Sequence, residues 1–175
     1  AASVGALASP HATLEELHLL QKFVRAAGSE NIDCRLRQTD FSLDGKKVVP
    51  WLGLTIAEIS ALDRVLVVGS FLRKDHPLLA QRLRQAAKKF TRVSLLHVAD
   101  DDQLIALQGK SIVAPSALAV ELAGIVKAVA EAKGAAVDAA LSGVQPSAAA
   151  KAIAESLASG EKGAILLGNF AQQHA

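Results

Sequence analysis

The sequence predicts an α/β fold, with a mainly parallel sheet carrying helices on both faces. Three observations carry that reading. Continuous apolar runs such as Val65-Leu66-Val67-Val68 have the pattern of strands buried on both sides. Between such runs lie amphipathic stretches of about a dozen residues, the length that a crossover between parallel strands needs. Capping residues bracket several of those stretches, so the alternation is helix against strand.

The elements follow in order. Thr13-Leu14-Glu15-Glu16 is a capping box, in which Thr13 accepts from the amide of Glu16 while that carboxylate reaches back. Leu14, Leu17, Leu20 and Val24 then recur at helical spacing, so a helix is expected over 14–27, closed by Gly28. A second box, Thr55-Ile56-Ala57-Glu58, opens a short helix that Asp63 ends. The strand Val65–Val68 stops at Gly69. Pro77 suits the first position of the next helix, whose apolar face is read as Leu79, Leu83, Ala87 and Phe90. A strand follows over Val93–Val98, then a short helix spanning Leu104–Leu107 and a third strand over Ser111–Ala114. Ser116 is expected to cap a long Ala-rich helix running to Lys133 and stopped by Gly134. Residues 135–146 read as a loop, Ser147 starts a helix to Ser159, and Ala164–Leu167 is the last strand. The runs at 65–68, 93–98 and 164–167 are expected to belong to one parallel sheet.

Composition sets the limits. With 175 residues, 51% of them hydrophobic, 21% charged and 3% aromatic, and a formal net charge of +2, the chain has an ordinary globular make-up. A chain of this size buries about 70% of its unfolded surface without needing metals or disulfides. The default is one α/β domain over 1–175, or part of a larger region. The single Cys34 excludes an intramolecular disulfide and any CxxC-type zinc or iron–sulfur site within these residues, and fits a reducing cytoplasm. No apolar run reaches the roughly 18 residues of a membrane span, so direct membrane insertion is not expected. The absence of methionine and the short tail after the last strand suggest a piece of a longer protein.

In open α/β sheets ligands sit beyond the carboxyl ends of strands. That rule points to the loop 69–77, where Gly69, Ser70, Arg73, Lys74 and His76 form a candidate phosphate-binding set. The loop matches neither GxGxxG nor GxxxxGK[ST], so as a phosphate loop it is degenerate. Charge is uneven: residues 64–92 carry +7, against −2 before them and −3 after. A basic surface of this kind fits an anionic partner. An even overall balance and the lack of interleaved aromatics argue against nucleic acid. No catalytic constellation and no metal site emerge. His11, His18, His76, His97 and His174 lack HxxxH or HExxH spacing, and Cys34 has no neighbouring His. His97 reads as a hydrogen-bonded residue in the core or at a sheet end, and Asp100–Asp102 as a capping and solvating run.

Residues Ser9 to Arg25, with Gly28-Ser29-Glu30-Asn31-Ile32-Asp33, resemble the TxEExxxxQKxxR…G(S/T)xNxD stretch of molybdopterin oxidoreductases of the formate dehydrogenase and DMSO reductase type. Leu66 to Pro77, Ala80 and the helix to Lys89 continue the likeness, in the version that resembles the molybdopterin-oxidoreductase-like iron–sulfur subunit of NADH-quinone oxidoreductase, respiratory complex I. The resemblance implies a Rossmann-like fold and an internal fragment of that subunit. It implies iron–sulfur clusters in preceding domains outside these residues, other subunits of the peripheral arm as partners, and a place at the cytoplasmic face of the inner membrane held through the complex.

Departures from the family pattern imply that no molybdopterin is bound. The metal-ligating position maps onto about Arg37-Gln38-Thr39-Asp40, none of which is a usable ligand, while Cys34 comes too early and is expected to be a buried thiol. Where the family has Gly-x-Asn-Pro after the strand, this chain has Gly69-Ser70-Phe71-Leu72, and Phe71 and Leu72 are expected to pack inward. Where the family has Asp-Pro-Arg, the sequence reads Val98-Ala99-Asp100-Asp101. The reading is therefore a noncatalytic structural domain, with two rivals: a working pterin-dependent oxidoreductase fragment, or an independent nucleotide-binding module. The missing ligand near Thr39 argues against the first rival and the missing glycine fingerprint against the second.

Overall fold

A computed structural model describes residues 3–9, 11–34 and 51–172. The chain divides into two compact units, Ala1–Asp44 with Gln173–Ala175, and Gly45–Gln172.

In the first unit, strand β1 (Ala6–Leu7), helix α1 (Leu14–Ala26) and strand β2 (Ile32–Asp33) form a βαβ turn, with Ala6 paired in parallel to Ile32. The Thr13 capping box forms as expected. The Glu16 amide donates to Thr13 Oγ1 at 3.2 Å, and the Thr13 amide donates to Glu16 Oε2 at 2.8 Å. Gly28, at φ +78°, turns the chain out of the helix. Ser29 Oγ then donates to the Val4 carbonyl at 2.6 Å and holds β1 beside the start of β2. The two strands carry no sequence signal, being two residues long each. Cys34 is exposed, against expectation: pairing in β2 ends at Asp33, and the Cys34 amide turns back to Asp33 Oδ1 at 2.7 Å.

The second unit holds a four-stranded sheet. Its strands are β3 (Arg64–Val68), β4 (Arg92–His97), β5 (Leu107–Ile112) and β6 (Gly163–Leu167), in the order β5-β4-β3-β6 and all parallel. The three apolar runs thus share one sheet, as the sequence predicts. Alternation along β3 sets the layers. Val65 and Val67 join Val93, Leu95 and Leu166 beneath Leu72 of α2 (Leu72–Asp75) and Ala80 and Leu83 of α3 (Pro77–Ala87). Leu66 and Val68 join Leu96 on the other face, under Leu118 and Ile125 of α4 (Leu118–Ala132) and Ala150 and Ile153 of α5 (Ala148–Ala158). Each fully buried side chain of this size stabilises by about 1.5–3 kcal/mol.

Small residues set the spacing of that second layer. A β-carbon on Gly109 of β5 would lie 2.9 Å from Ile153 Cγ1, and one on Gly124 of α4 would lie 3.7 Å from Ala150 Cβ, so α5 rests closely on both neighbours. Ser147 caps α5 by accepting from the Ala150 amide at 2.9 Å. The same hydroxyl donates to Glu121 Oε1 at 2.7 Å, and Ser111 Oγ donates to that oxygen at 2.7 Å.

Several boundaries differ from expectation. The Thr55 box forms, but it leads into a 3-10 turn over Glu58–Ala61. Residues 104–107 form no helix; Leu104 adopts φ +54°, and Leu107 already belongs to β5. This strand runs over Leu107–Ile112 rather than 111–114, because an edge strand alternates inward and outward residues and so admits Gln108 and Lys110 on its exposed side. Ser116 caps nothing: Pro115 initiates a 3-10 turn over Pro115–Ala117, and α4 begins without a side-chain cap. Phe90 lies past the end of α3 and is exposed. Residues 135–146 are irregular apart from a 3-10 turn over Ala139–Leu141, capped by Asp138. A four-residue helix α6 (Asn169–Gln172) follows β6.

At the amino ends of β3 and β6, Asp63 ties the two strands together. Its Oδ2 accepts from the Glu161 amide at 2.8 Å and the Lys162 amide at 3.2 Å. The Glu161 bond, opposed by partial burial and reinforced by the Lys162 amide and the Arg64 cation, holds the Asp63 carboxyl below its ordinary range. Arg64 donates to the Ser156 carbonyl at 2.8 Å and to Ser159 Oγ at 3.0 Å.

Candidate functional site

β3 has β4 on one side and β6 on the other, so connections leave it in opposite directions. The carboxyl end of β3 is the switch point at which open α/β sheets open a crevice. The residues found there are Gly69 and Ser70 just after β3, Gly168 just after β6, and the first residues of α6.

Backbone fills this place. Gly69 donates to the Leu96 carbonyl at 2.9 Å and accepts from the Phe170 amide at 3.1 Å, while the Gly168 amide donates to the Val68 carbonyl at 2.8 Å. Gly69 sits at φ +60°, and a β-carbon there would stand 2.6 Å from the Ala171 nitrogen. One on Gly168 would stand 2.5 Å from the Gly69 oxygen and would run into the Ser70 side chain. Two facing glycines are therefore what allow α6 to approach. His97, the last residue of β4, is buried, and its Nδ1 accepts from the Ala99 amide at 3.0 Å, the sheet-end role expected of it. Its ring lies 6.4 Å from that of Phe170.

The expected phosphate-binding set separates into two groups. Gly69 and Ser70 are buried, whereas Arg73, Lys74 and His76 are exposed. Of the two inward-packing residues, Leu72 is buried as expected, and Phe71 is half-buried with the Arg73 guanidinium carbon 5.4 Å and Lys74 Nζ 4.8 Å from its ring centre. The residue that sequence reasoning missed is Asp75. Its Oδ2 accepts from the Phe71 amide at 2.9 Å and from Ser70 Oγ at 3.3 Å. These are the donors a phosphate would use, and an internal carboxylate already holds them. The spacing of Ser70 and Phe71 from Asp75, one helical turn ahead, is the signal that could have found it.

The stretch Arg37–Asp40, onto which the family's metal-ligating position maps, lies outside the described residues. Among the described residues no group of three His, Cys, Asp or Glu side chains could hold a metal ion. Asp100 pairs with Lys110 at 2.7 Å and Asp102 accepts from the Leu104 amide at 2.8 Å, which accords with the solvating and capping reading of that run. No described helix is long and apolar enough to cross a membrane.

A family model described as molybdopterin oxidoreductase matches residues 1–175. No curated protein matches the chain.

Proposed function

The chain belongs to the molybdopterin oxidoreductase family, and from that premise we propose that it is a noncatalytic structural domain within the molybdopterin-oxidoreductase-like iron–sulfur subunit of NADH-quinone oxidoreductase, part of the complex's peripheral arm at the cytoplasmic face of the membrane. The electron path would run through iron–sulfur clusters in domains outside these residues, and its partners would be the other subunits of that arm.

The observation that carries the reading is the state of the strand-end loop. A pterin dinucleotide's phosphates need free donors at the end of β3. Instead the Phe71 amide and Ser70 hydroxyl face the Asp75 carboxylate, and Gly69 is sealed against Ala171. A phosphate placed there would meet a like charge, the buried Leu72 adds apolar bulk beside it, and Arg73 and Lys74 are turned to the Phe71 ring. The residues present in this loop do not fit that group. The departures at Arg37–Asp40 and at Asp100-Asp101 in the sequence support the same reading, and the form of the Ser9–Lys89 stretch supports the choice of subunit.

Metal analysis of the purified 175-residue chain is expected to find no stoichiometric molybdenum or tungsten, and oxidation followed by fluorescence to find no released pterin. In native gels of detergent-solubilised membranes, an antibody to the chain is expected to stain the band that carries NADH dehydrogenase activity. About one molybdenum or tungsten per chain would refute the noncatalytic role; staining away from that band would refute the placement in this complex.

A further inference from the structure

Eight cations lie between Arg64 and Arg92, and the structure sorts them by use. Arg64 is spent inside the fold on the Ser156 carbonyl and Ser159 Oγ, and Arg92 donates to Gln108 Oε1 at 2.7 Å. Arg73 and Lys74 lie over the Phe71 ring. Four remain on or just past α3: Arg82, Arg84, Lys88 and Lys89, all exposed.

Nothing in the helix answers their charge. No Asp or Glu occurs between Pro77 and Phe90, so the helix has no internal ion pair. None of the four has an ion-pair partner among the described residues, although elsewhere Arg25 pairs with Glu30 and Lys110 with Asp100. Arg84 and Lys88 stand one turn apart, a like-charge spacing that weakens a helix. Attraction to the helix's negative end accounts for cations in the last turn but not for Arg82, in the middle of α3.

The helix also exposes an apolar residue among these charges. Leu78 is 81% exposed at the start of the stripe that Arg82, Gln85 and Lys89 continue at helical spacing. The inner face is buried through Ala80, Leu83 and Ala86, the first two packing in the core cluster beneath the helix. An exposed leucine on the same outward face as a row of guanidinium and ammonium groups is the arrangement of a protein interface, in which an apolar contact is accompanied by charges that steer and orient the partner. A surface for single-stranded nucleic acid would interleave aromatics with the cations for stacking; α3 has none, and the one exposed aromatic nearby, Phe90, lies past its end.

We propose that the outward face of α3, with Leu78 at its start and Arg82, Arg84, Lys88 and Lys89 along and just past it, is a docking surface for an acidic face of another protein. It is independent of which complex holds the chain.

A water-soluble carbodiimide joins amines to carboxylates with no spacer, and so reads the contact directly. Native membranes treated with it are digested and searched by mass spectrometry for peptides linked through Lys88 or Lys89. The expected product joins one of these lysines to an Asp or Glu of a different protein. The Arg82→Glu, Arg84→Glu double variant should lower its yield about tenfold, as loss of steering and of two ion pairs implies, while the melting temperature of the purified chain is unchanged. No inter-protein link at Lys88 or Lys89, or a yield unchanged in the double variant, overturns the proposal. So does selective binding of the purified chain to a DNA duplex or to phosphatidylglycerol vesicles, lost in the double variant, with no such link in membranes. A link formed in a complex without NADH dehydrogenase activity upholds this surface and refutes the placement in that enzyme; no link within the active complex does the reverse.

Discussion

The Phe71 amide donates to Asp75 Oδ2 at 2.9 Å, and the Asp75 amide returns a bond of 2.9 Å to the Phe71 carbonyl. The two residues, the N-cap and the last residue of the short helix α2, close the loop after β3 on itself. An anion from outside would have to displace a carboxylate that is covalently part of the same turn, and would then face Arg73 and Lys74 only across exposed side chains. Guanine-nucleotide titration by calorimetry is accordingly expected to show nothing tighter than about millimolar, equivalent to about −4 kcal/mol. A micromolar, saturable isotherm that Arg73→Ala abolishes would contradict this account.

Gly69→Ala tests the seal itself. The substitution forces an L residue to φ +60° and drives its β-carbon toward the Ala171 nitrogen, so destabilisation by at least about 2 kcal/mol is expected in urea unfolding. A change under about half a kcal/mol, within what an ordinary surface substitution gives, would mean that α6 is not held as described.

Stability should fall in acid partly through Asp63. Its folded-state pKa lies below the ordinary value of 3.8, so the unfolded chain binds the proton more readily. The contribution is full above that ordinary value and is lost as pH falls through the depressed folded value. Melting curves of wild type and Asp63→Asn should therefore differ at about pH 6, with the gap narrowing as pH falls below the ordinary value of 3.8. A gap that does not narrow below that value would show that the charge on Asp63 is irrelevant to the clamp.

Ser147→Ala removes an N-cap and a donor to Glu121 together. A loss of about 1–2 kcal/mol is expected, above the usual cap effect of about 1 kcal/mol. In a double-mutant cycle with Glu121→Gln, the two substitutions should be non-additive.

Leu83→Ala opens a cavity beneath α3 against Val65, Val67, Val93 and Leu95, and should cost about 2–5 kcal/mol. The charge reversals on the outer face of the same helix should leave stability within about half a kcal/mol.

Strong local signals make much of the fold legible in the sequence. Val65–Val68, Val93–Leu96 and the Thr13 and Ser147 caps need no partner to be recognised, since periodicity and capping chemistry are local. The edge strand Leu107–Ile112 is harder to read. Its exposed Gln108 and Lys110 belong to no strand-forming set, and only pairing with β4 makes them extended. Ser116 misleads because Pro115 preorganises a tighter turn than a serine cap would start. At the site, Gly69 and Ser70 can be located from the strand that precedes them. The closure by Gly168 and Ala171 cannot, because it joins residues about a hundred positions apart.

That separation governs how the protein is made. Arg64 of the central strand pairs with Gly163, 99 positions later. At roughly 5–20 residues per second, β3 leaves the ribosome some 5–20 seconds before its second neighbour exists. β4 and β5 can add to one side during that interval, while the other side of an almost wholly apolar strand stays open to any extended segment nearby. Nascent chains arrested between residues 112 and 163 should thus bind chaperones and form intermolecular sheet more readily than the finished chain.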